Sequence, residues 1–201
     1  MNFLYAIFEK LLVMFHGMTG NFGVAIILLT IFIKIVLLPL TLKQDKSMKE
    51  MKKLQPKIEE IKKKYGSDPQ LMNQKTMELY KEHKVNPAGG CLPILIQLPI
   101  LWALFGVLRK EGVVPDESFL WFSLVTPDPY FILPILNGVV SFVQQKVMGT
   151  SDNPQMKNMM YMFPIMMVFI SYKMPGGLQL YWLVSSLTGV IQQYFVMKKG
   201  E

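Results

Sequence analysis

The residues that stand out in this chain are polar ones set into long apolar runs. Lys34 is the only charge within FGVAIILLTIFIKIVLLPLTL (Phe22–Leu42), and Thr30 shares its helical face. Gln97 sits within CLPILIQLPILWALFGVL (Cys91–Leu108). Asn137, Ser141, Gln144 and Gln145 recur at helical spacing in a later run, as do Ser185, Ser186, Gly189, Gln192 and Gln193 in the last. Amides and hydroxyls at such depth must face one another or water, because hydrocarbon offers them no partner. Their chemistry is recognition by hydrogen bonds and charge. The means for bond-making are missing. Cys91 is the single cysteine, so an internal disulfide and a Cys-rich zinc site are excluded. His16 and His83 are too far apart for HExxH, and no GxxxxGK[ST] string occurs. The runs contain no histidine or aspartate for intramembrane proteolysis. No catalytic residue, metal ligand set or cofactor is expected.

The elements that must position these residues are membrane spans. Hydrophobic residues make up 51% of the 201 residues and charged ones 17%, against roughly 25% charged in a soluble domain. Five runs are candidates to cross: Phe22–Leu42, Cys91–Leu108, Tyr130–Met148, Met159–Tyr172 and Leu178–Met197. The fourth is short, so either its ends borrow Met156 and Asn158 or the bilayer thins around it. The connection Lys43–Gly90 carries 12 Lys against 7 Asp and Glu, which places it in the cytoplasm. The N-terminus is then outside and the C-terminus inside, and only Lys173 dissents. Residues 1–17 are too short to cross. Phe3, Leu4, Ile7, Phe8, Leu11, Leu12 and Phe15 repeat at three- and four-residue spacing, the pattern of an interfacial helix on the outer surface. An uncleaved signal segment is the alternative.

Residues 18–201 read as the core, with 43–88 inserted as a cytoplasmic helical hairpin. Met48, Met51, Leu54, Ile58, Ile61 and Tyr65 predict one helix with a narrow apolar stripe. Gly66 suits its end, and Asp68-Pro69 predicts the start of a second, antiparallel helix. A charged arm of this kind is either a solvated spacer or a surface for anionic lipid. Arginine and interleaved aromatics are lacking, so sequence-specific nucleic-acid binding is not expected.

Lys34 poses the physical problem. A lysine at mid-span costs about 2.5–3.5 kcal/mol. Fifteen Leu, Ile, Val and Phe neighbours at about 0.3–0.6 kcal/mol each offset that, so the run still inserts. Snorkelling toward the headgroups is one way to accommodate the charge. For the polar stripes, one packing is a dry bundle with interhelical hydrogen bonds. The other is a wet cavity open to the cytoplasm and closed outside by apolar packing. No acidic residue lies within any of the five runs to neutralise Lys34, and this favours the second. Met159, Met160, Met162, Met166, Met167 and Met174 suit either lipid-facing filler or a wall for varied apolar partners.

The strings NFGVAIILLTIFIKIVLLPLTLKQ, MKKLQPKIEEIKKKY, NPAGGCLPILIQLPILWALF, DPYFILPILNGVVSFVQQK and PGGLQLYWLVSSLTGVIQQY resemble the membrane protein insertases of the YidC/Oxa/Alb type. The resemblance runs from about Asn21 to Lys198. It implies an all-α integral membrane protein of five transmembrane helices around a hydrophilic groove open to the cytoplasm and to lipid. It implies an insertase and chaperone of the bacterial inner membrane, acting alone or with the Sec translocon. Nascent membrane-protein clients, membrane lipids and the ribosome are the implied partners. Lys34 takes the place of the groove's basic residue, more usually arginine. Lysine keeps the charge but lacks the planar fork that holds a carboxylate by two bonds. The expected groove residues are Lys34, Thr30, Gln97, Asn137, Ser141, Gln144, Gln145, Ser185 and Gln192.

Overall fold

The computed structural model describes residues 2–85, 92–110, 112–147 and 154–198. The NPAGGC string (86–91), Met148 and the tail residue Lys199 lie outside these. Helix α1 (Asn2–Thr19) ends at Gly20, whose φ of +66° reverses the chain at no steric cost. Asn21 then caps α2 (Phe22–Lys53), its side chain accepting from Val24 N–H at 3.0 Å. Helix α2 does not stop where the apolar run stops. It passes Pro39 and continues into the charged segment as far as Lys53. The chain bends at Leu54, and α3 (Gln55–Tyr65) starts with Pro56 in its first turn. The stripe Met48–Tyr65 is therefore carried by two helices rather than the predicted one, because a proline without an N–H begins a helix more readily than it continues one. Asp68 caps α4 (Pro69–Glu82), accepting from Gln70 and Leu71 N–H at 3.0 and 3.1 Å.

The remaining elements are α5 (Leu92–Arg109), a short antiparallel hairpin of β1 (Ser118–Phe119) and β2 (Phe122–Ser123), α6 (Ile132–Val147), α7 (Pro154–Ser171) and α8 (Gly176–Lys198). Helix α7 starts five residues before the apolar run. Its 18 residues rise about 27 Å at ~1.5 Å each, while its apolar part stays short, Met160–Ser171.

The bundle has two unlike ends. At one end, Phe8 and Leu12 of α1, Ala25, Ile26 and Leu29 of α2, Leu104 and Val107 of α5, Leu133 of α6 and Leu178 of α8 pack as one buried cluster. Phe122 and Leu124, from the connection between α5 and α6, plug it. Close approach depends on glycine here: a Cβ on Gly23 would overlap the Phe119 ring, and one on Gly176 would meet the Ser123 carbonyl. Helix α1 is fastened to this end. Tyr5 hydroxyl donates to the Gly106 carbonyl at 3.1 Å, Lys110 pairs with Glu9 at 2.6 Å, and His16 stacks on Phe22 with centroids 3.8 Å apart. Its Phe8 and Leu12 thus face α2 and α5, while Phe3, Val13, Met14 and Met18 face outward. The opposite end carries the α3–α4 hairpin.

Around its flanks the bundle turns apolar residues outward, among them Ile35, Val36, Trp102, Ile135, Ile165, Phe169, Ile191 and Phe195. Water penalises a belt of that extent, and lipid does not. Among the described residues, α2 alone is long and apolar enough to cross a bilayer by length and composition.

Replacing Gly23 by Val should displace the Phe119 hairpin and destabilise the detergent-solubilised protein by about 1–3 kcal/mol, the usual cost of overpacking. Gly17 has open space around it, so Gly17→Ala should change stability by less than ~0.5 kcal/mol. Thermal melts of the two variants check this; equal melting temperatures would contradict the plug.

Candidate functional site

Helices α2 and α8 run parallel, and contacts along them fix their register. Ile26 lies against Gly177 near the plugged end, and Thr41 bonds Gln192 near the hairpin end. That register sets the Lys34 backbone level with Ser185. Its ammonium is further along. Nζ lies 4.0 Å from where a Cβ on Gly189 would stand, about one helical turn nearer the hairpin end. Gln144 Nε2, arriving from α6, lies 3.2 Å from the same point. The lysine side chain thus extends along α8 within the bundle. The bare backbone of Gly189 leaves room for the Gln144 amide.

Beside the ammonium, a cavity of about 60 Å³ lies between α2, α5 and α8, lined by Thr30, Ile33, Lys34, Leu37, Thr41, Gln44, Ile96, Gln97, Ile100 and Tyr181. That is room for a few water molecules at most. Gln97 Nε2 donates to Tyr181 hydroxyl at 2.9 Å, and Ser185 stands beside the same hydroxyl. Thr30 hydroxyl donates to the Ile26 carbonyl one turn back at 2.6 Å, which leaves its oxygen as an acceptor. Towards the hairpin end, Gln192 ties α8 to α2. Its amide donates to Thr41 Oγ1 at 2.9 Å and to Asp45 Oδ2 at 2.6 Å, and its oxygen lies 3.2 Å from the Thr41 hydroxyl. Asp45 is 6% exposed and Gln44 5%.

Asp45 corrects the reasoning about charge. Lys34 has no acidic neighbour in its apolar run, yet the fold supplies one. Eleven residues on, Asp45 returns to the same face of an unbroken helix.

Of the nine expected residues, Lys34, Thr30 and Gln97 line this cavity, and Gln144, Ser185 and Gln192 stand next to it. Asn137 does not join them. It is fully buried, donates to the Gln179 carbonyl at 3.3 Å, and borders a separate cavity of about 210 Å³ with Leu98, Leu101, Met167, Ile170 and Trp182. Ser141 is buried and Gln145 half-buried on α6, and neither lines the Lys34 cavity. The methionines divide: Met160 and Met167 turn inward, Met162 and Met166 outward. Sequence reasoning missed Thr41, Gln44, Asp45 and Tyr181. The first three lie at or beyond the edge of the apolar run, and helical periodicity continued past Leu42 would have found Asp45. Tyr181 carries no polar spacing signal of its own, and it becomes part of the site through its bond from Gln97 of α5.

A helical bundle that faces apolar side chains outward, and keeps a cation and amides inside, is an integral membrane protein with an internal polar recess. The profile of the family described as 60Kd inner membrane protein matches residues 14–201, and the chain belongs to that family. It is 68% identical over 205 residues to the membrane protein insertase YidC of Fusobacterium nucleatum subsp. nucleatum, with all of both chains covered. The YidC of Caldanaerobacter subterraneus subsp. tengcongensis is 44% identical over 191 residues, 94% of this chain and 92% of that one. That of Geobacter sulfurreducens is 45% identical over 184 residues, 90% of this chain but only 35% of the relative. A crystal structure of an active YidC insertase with its first transmembrane domain resolved superposes with a TM-score of 0.79 at 32% identity, covering 96% of this chain and 46% of that one. The chain thus spans the whole of some relatives and about a third of others.

In a Cys91→Ser background, Gln97→Cys and Gln192→Cys should react with a membrane-impermeant maleimide added from the hairpin side. Asn137→Cys should not, since its cavity adjoins only apolar surface. Equal labelling of all three in bilayers would contradict two separate cavities.

Proposed function

We propose that this chain is a membrane protein insertase and chaperone of the bacterial inner membrane. In this reading α2, α5, α6, α7 and α8 cross the bilayer, the N-terminus is outside, and the α3–α4 hairpin and C-terminus are cytoplasmic. The recess beside Lys34 is the resting form of a groove that receives the polar or acidic translocated segment of a client. Lys34 attracts that segment, while Gln97, Gln144, Ser185 and Gln192 offer hydrogen bonds. The polar stretch then has less hydrocarbon to cross, which lowers its barrier. The client's apolar segment leaves sideways past the Met-rich α7, and its burial in lipid drives the reaction at about 25 cal/mol per Å². No covalent bond is made or broken, and no nucleotide is hydrolysed.

One observation carries this reading: the Lys34 ammonium is held within the bundle beside hydrogen-bonding side chains, near the hairpin end, while the other end is packed with apolar side chains. A cavity of about 60 Å³ admits water but not a peptide segment. Loading a client therefore requires α5 to move away from α8, breaking the Gln97–Tyr181 bond. Clients arrive as nascent chains from the ribosome or beside the Sec translocon, and the lysine-rich hairpin meets them or the anionic lipid surface.

Liposomes holding only this protein test the proposal with a small client whose translocated segment exists in acidic and neutral forms. Wild type should insert both faster than empty liposomes do. Lys34→Met should slow the acidic form on the order of tenfold, since a hydrogen bond to a charged group is worth about 1.5 kcal/mol or more, and the neutral form less. Lys34→Arg should restore it. Insertion no better than by empty liposomes sinks the function, and equal losses on both clients sink the electrostatic role of Lys34.

A further inference from the structure

The groove reading gives no role to the buried carboxylate of Asp45. We propose that Asp45 is the resident counter-charge of the Lys34 site, a stand-in for the client's own carboxylate that sets how acidic a translocated segment must be to occupy the groove. The inference rests on the groove reading and adds a specificity-determining residue to it.

Three features of position support it. Asp45 lies eleven residues beyond Lys34 on one continuous helix, about three turns, so both side chains leave the same face. The two charged groups then converge along α8. The lysine extends toward the hairpin end to reach Gly189, while the Asp45 carboxylate is held at Gln192, three residues further along the same helix. Helical Cβ atoms tilt toward the N-terminus, which leans Asp45 back toward the ammonium. Finally, the carboxylate is fixed rather than free. Gln192 Nε2 donates to it at 2.6 Å and also bonds Thr41, so α8 positions the acid against α2. At 6% exposure Asp45 is poorly hydrated, so its dependence on these partners is strong.

An acidic client segment approaching Lys34 from the hairpin end meets this arrangement first. Its carboxylate must displace Asp45 as the through-space partner of the ammonium. A segment carrying one carboxylate gains little by the exchange, and one carrying several gains more. Asp45 thus discriminates between clients, while Lys34 attracts them all.

The test is the ratio of initial insertion rates for the acidic and neutral forms of one client, in liposomes holding the full chain. Asp45→Asn keeps an oxygen for Gln192 and removes the charge. It should raise the ratio on the order of fivefold, the worth of a partly screened ion pair. Asp45→Glu keeps the charge and should hold the ratio near wild type. In a Lys34→Met background, Asp45→Asn should no longer raise it. An unchanged ratio in Asp45→Asn overturns the proposal, as does a rise that persists without Lys34. A wild-type ratio that Lys34→Met does not lower is a different failure, that of the groove reading itself, and removes the proposal with it.

Discussion

An ammonium group enclosed by apolar helices has to be compensated, and the bundle is arranged around that requirement. Hydrocarbon offers a cation neither dipoles nor water, and the desolvation penalty rises steeply with depth. Lys34 meets the constraint in three ways at once. Its side chain reaches a turn toward the hairpin end, it lies beside a small polar cavity, and it shares a helix face with Asp45. Each depends on backbone detail. A side chain at Gly189 would press the Gln144 amide back by a few tenths of an ångström, and with a helix ending at Leu42 Asp45 would have no fixed place.

The division of the bundle into two ends follows from the same constraint. A polar recess is tolerable only if it joins water at one side and is sealed at the other. The seal is made from residues far apart in sequence: α1, the start of α2, the end of α5 and the β1–β2 hairpin. In lipid the hydrophobic effect does not drive helices together, so close fit and small residues must do so. The glycines at 23, 176 and 177, each in contact with a neighbouring element, are the physical form of that fit. The flanks answer to a different solvent, and their outward Ile, Val, Phe and Trp side chains match it.

Much of this was legible in the sequence, and what was not has definite causes. Apolar runs located α5, α6, α8 and the start of α2 within a few residues, because hydrocarbon thickness sets the length of an apolar run, but not the end of α2, which continues to Lys53. Asp68-Pro69 was enough to mark the start of α4, because an N-cap and a first-turn proline act locally. Helix α7 read short because Lys157 and Asn158 interrupt its apolar run without interrupting its helix. The break before Pro56 was overlooked because the stripe of apolar residues runs straight through it. The polar site was half legible. Helical spacing brings Lys34, Thr30, Gln97, Gln144, Ser185 and Gln192 to one region. Asn137 has the same spacing as Gln144, and only the packing of α6 against α7 and α8 shows that it borders a different cavity. Asp45 was missed because charge was sought inside the apolar run, whereas a helix face extends beyond it.

A groove that works as proposed keeps the Lys34 ammonium hydrated inside the protein rather than dry or resting among lipid phosphates. Solid-state NMR of lysine ¹⁵Nζ, with Lys34 assigned by its loss in Lys34→Arg, measures this directly in lipid bilayers. A hydrated ammonium should show rapid polarisation transfer from water to that nitrogen and no dipolar contact with lipid ³¹P. Slow transfer matching that of core side chains, or a clear ³¹P contact, would contradict it.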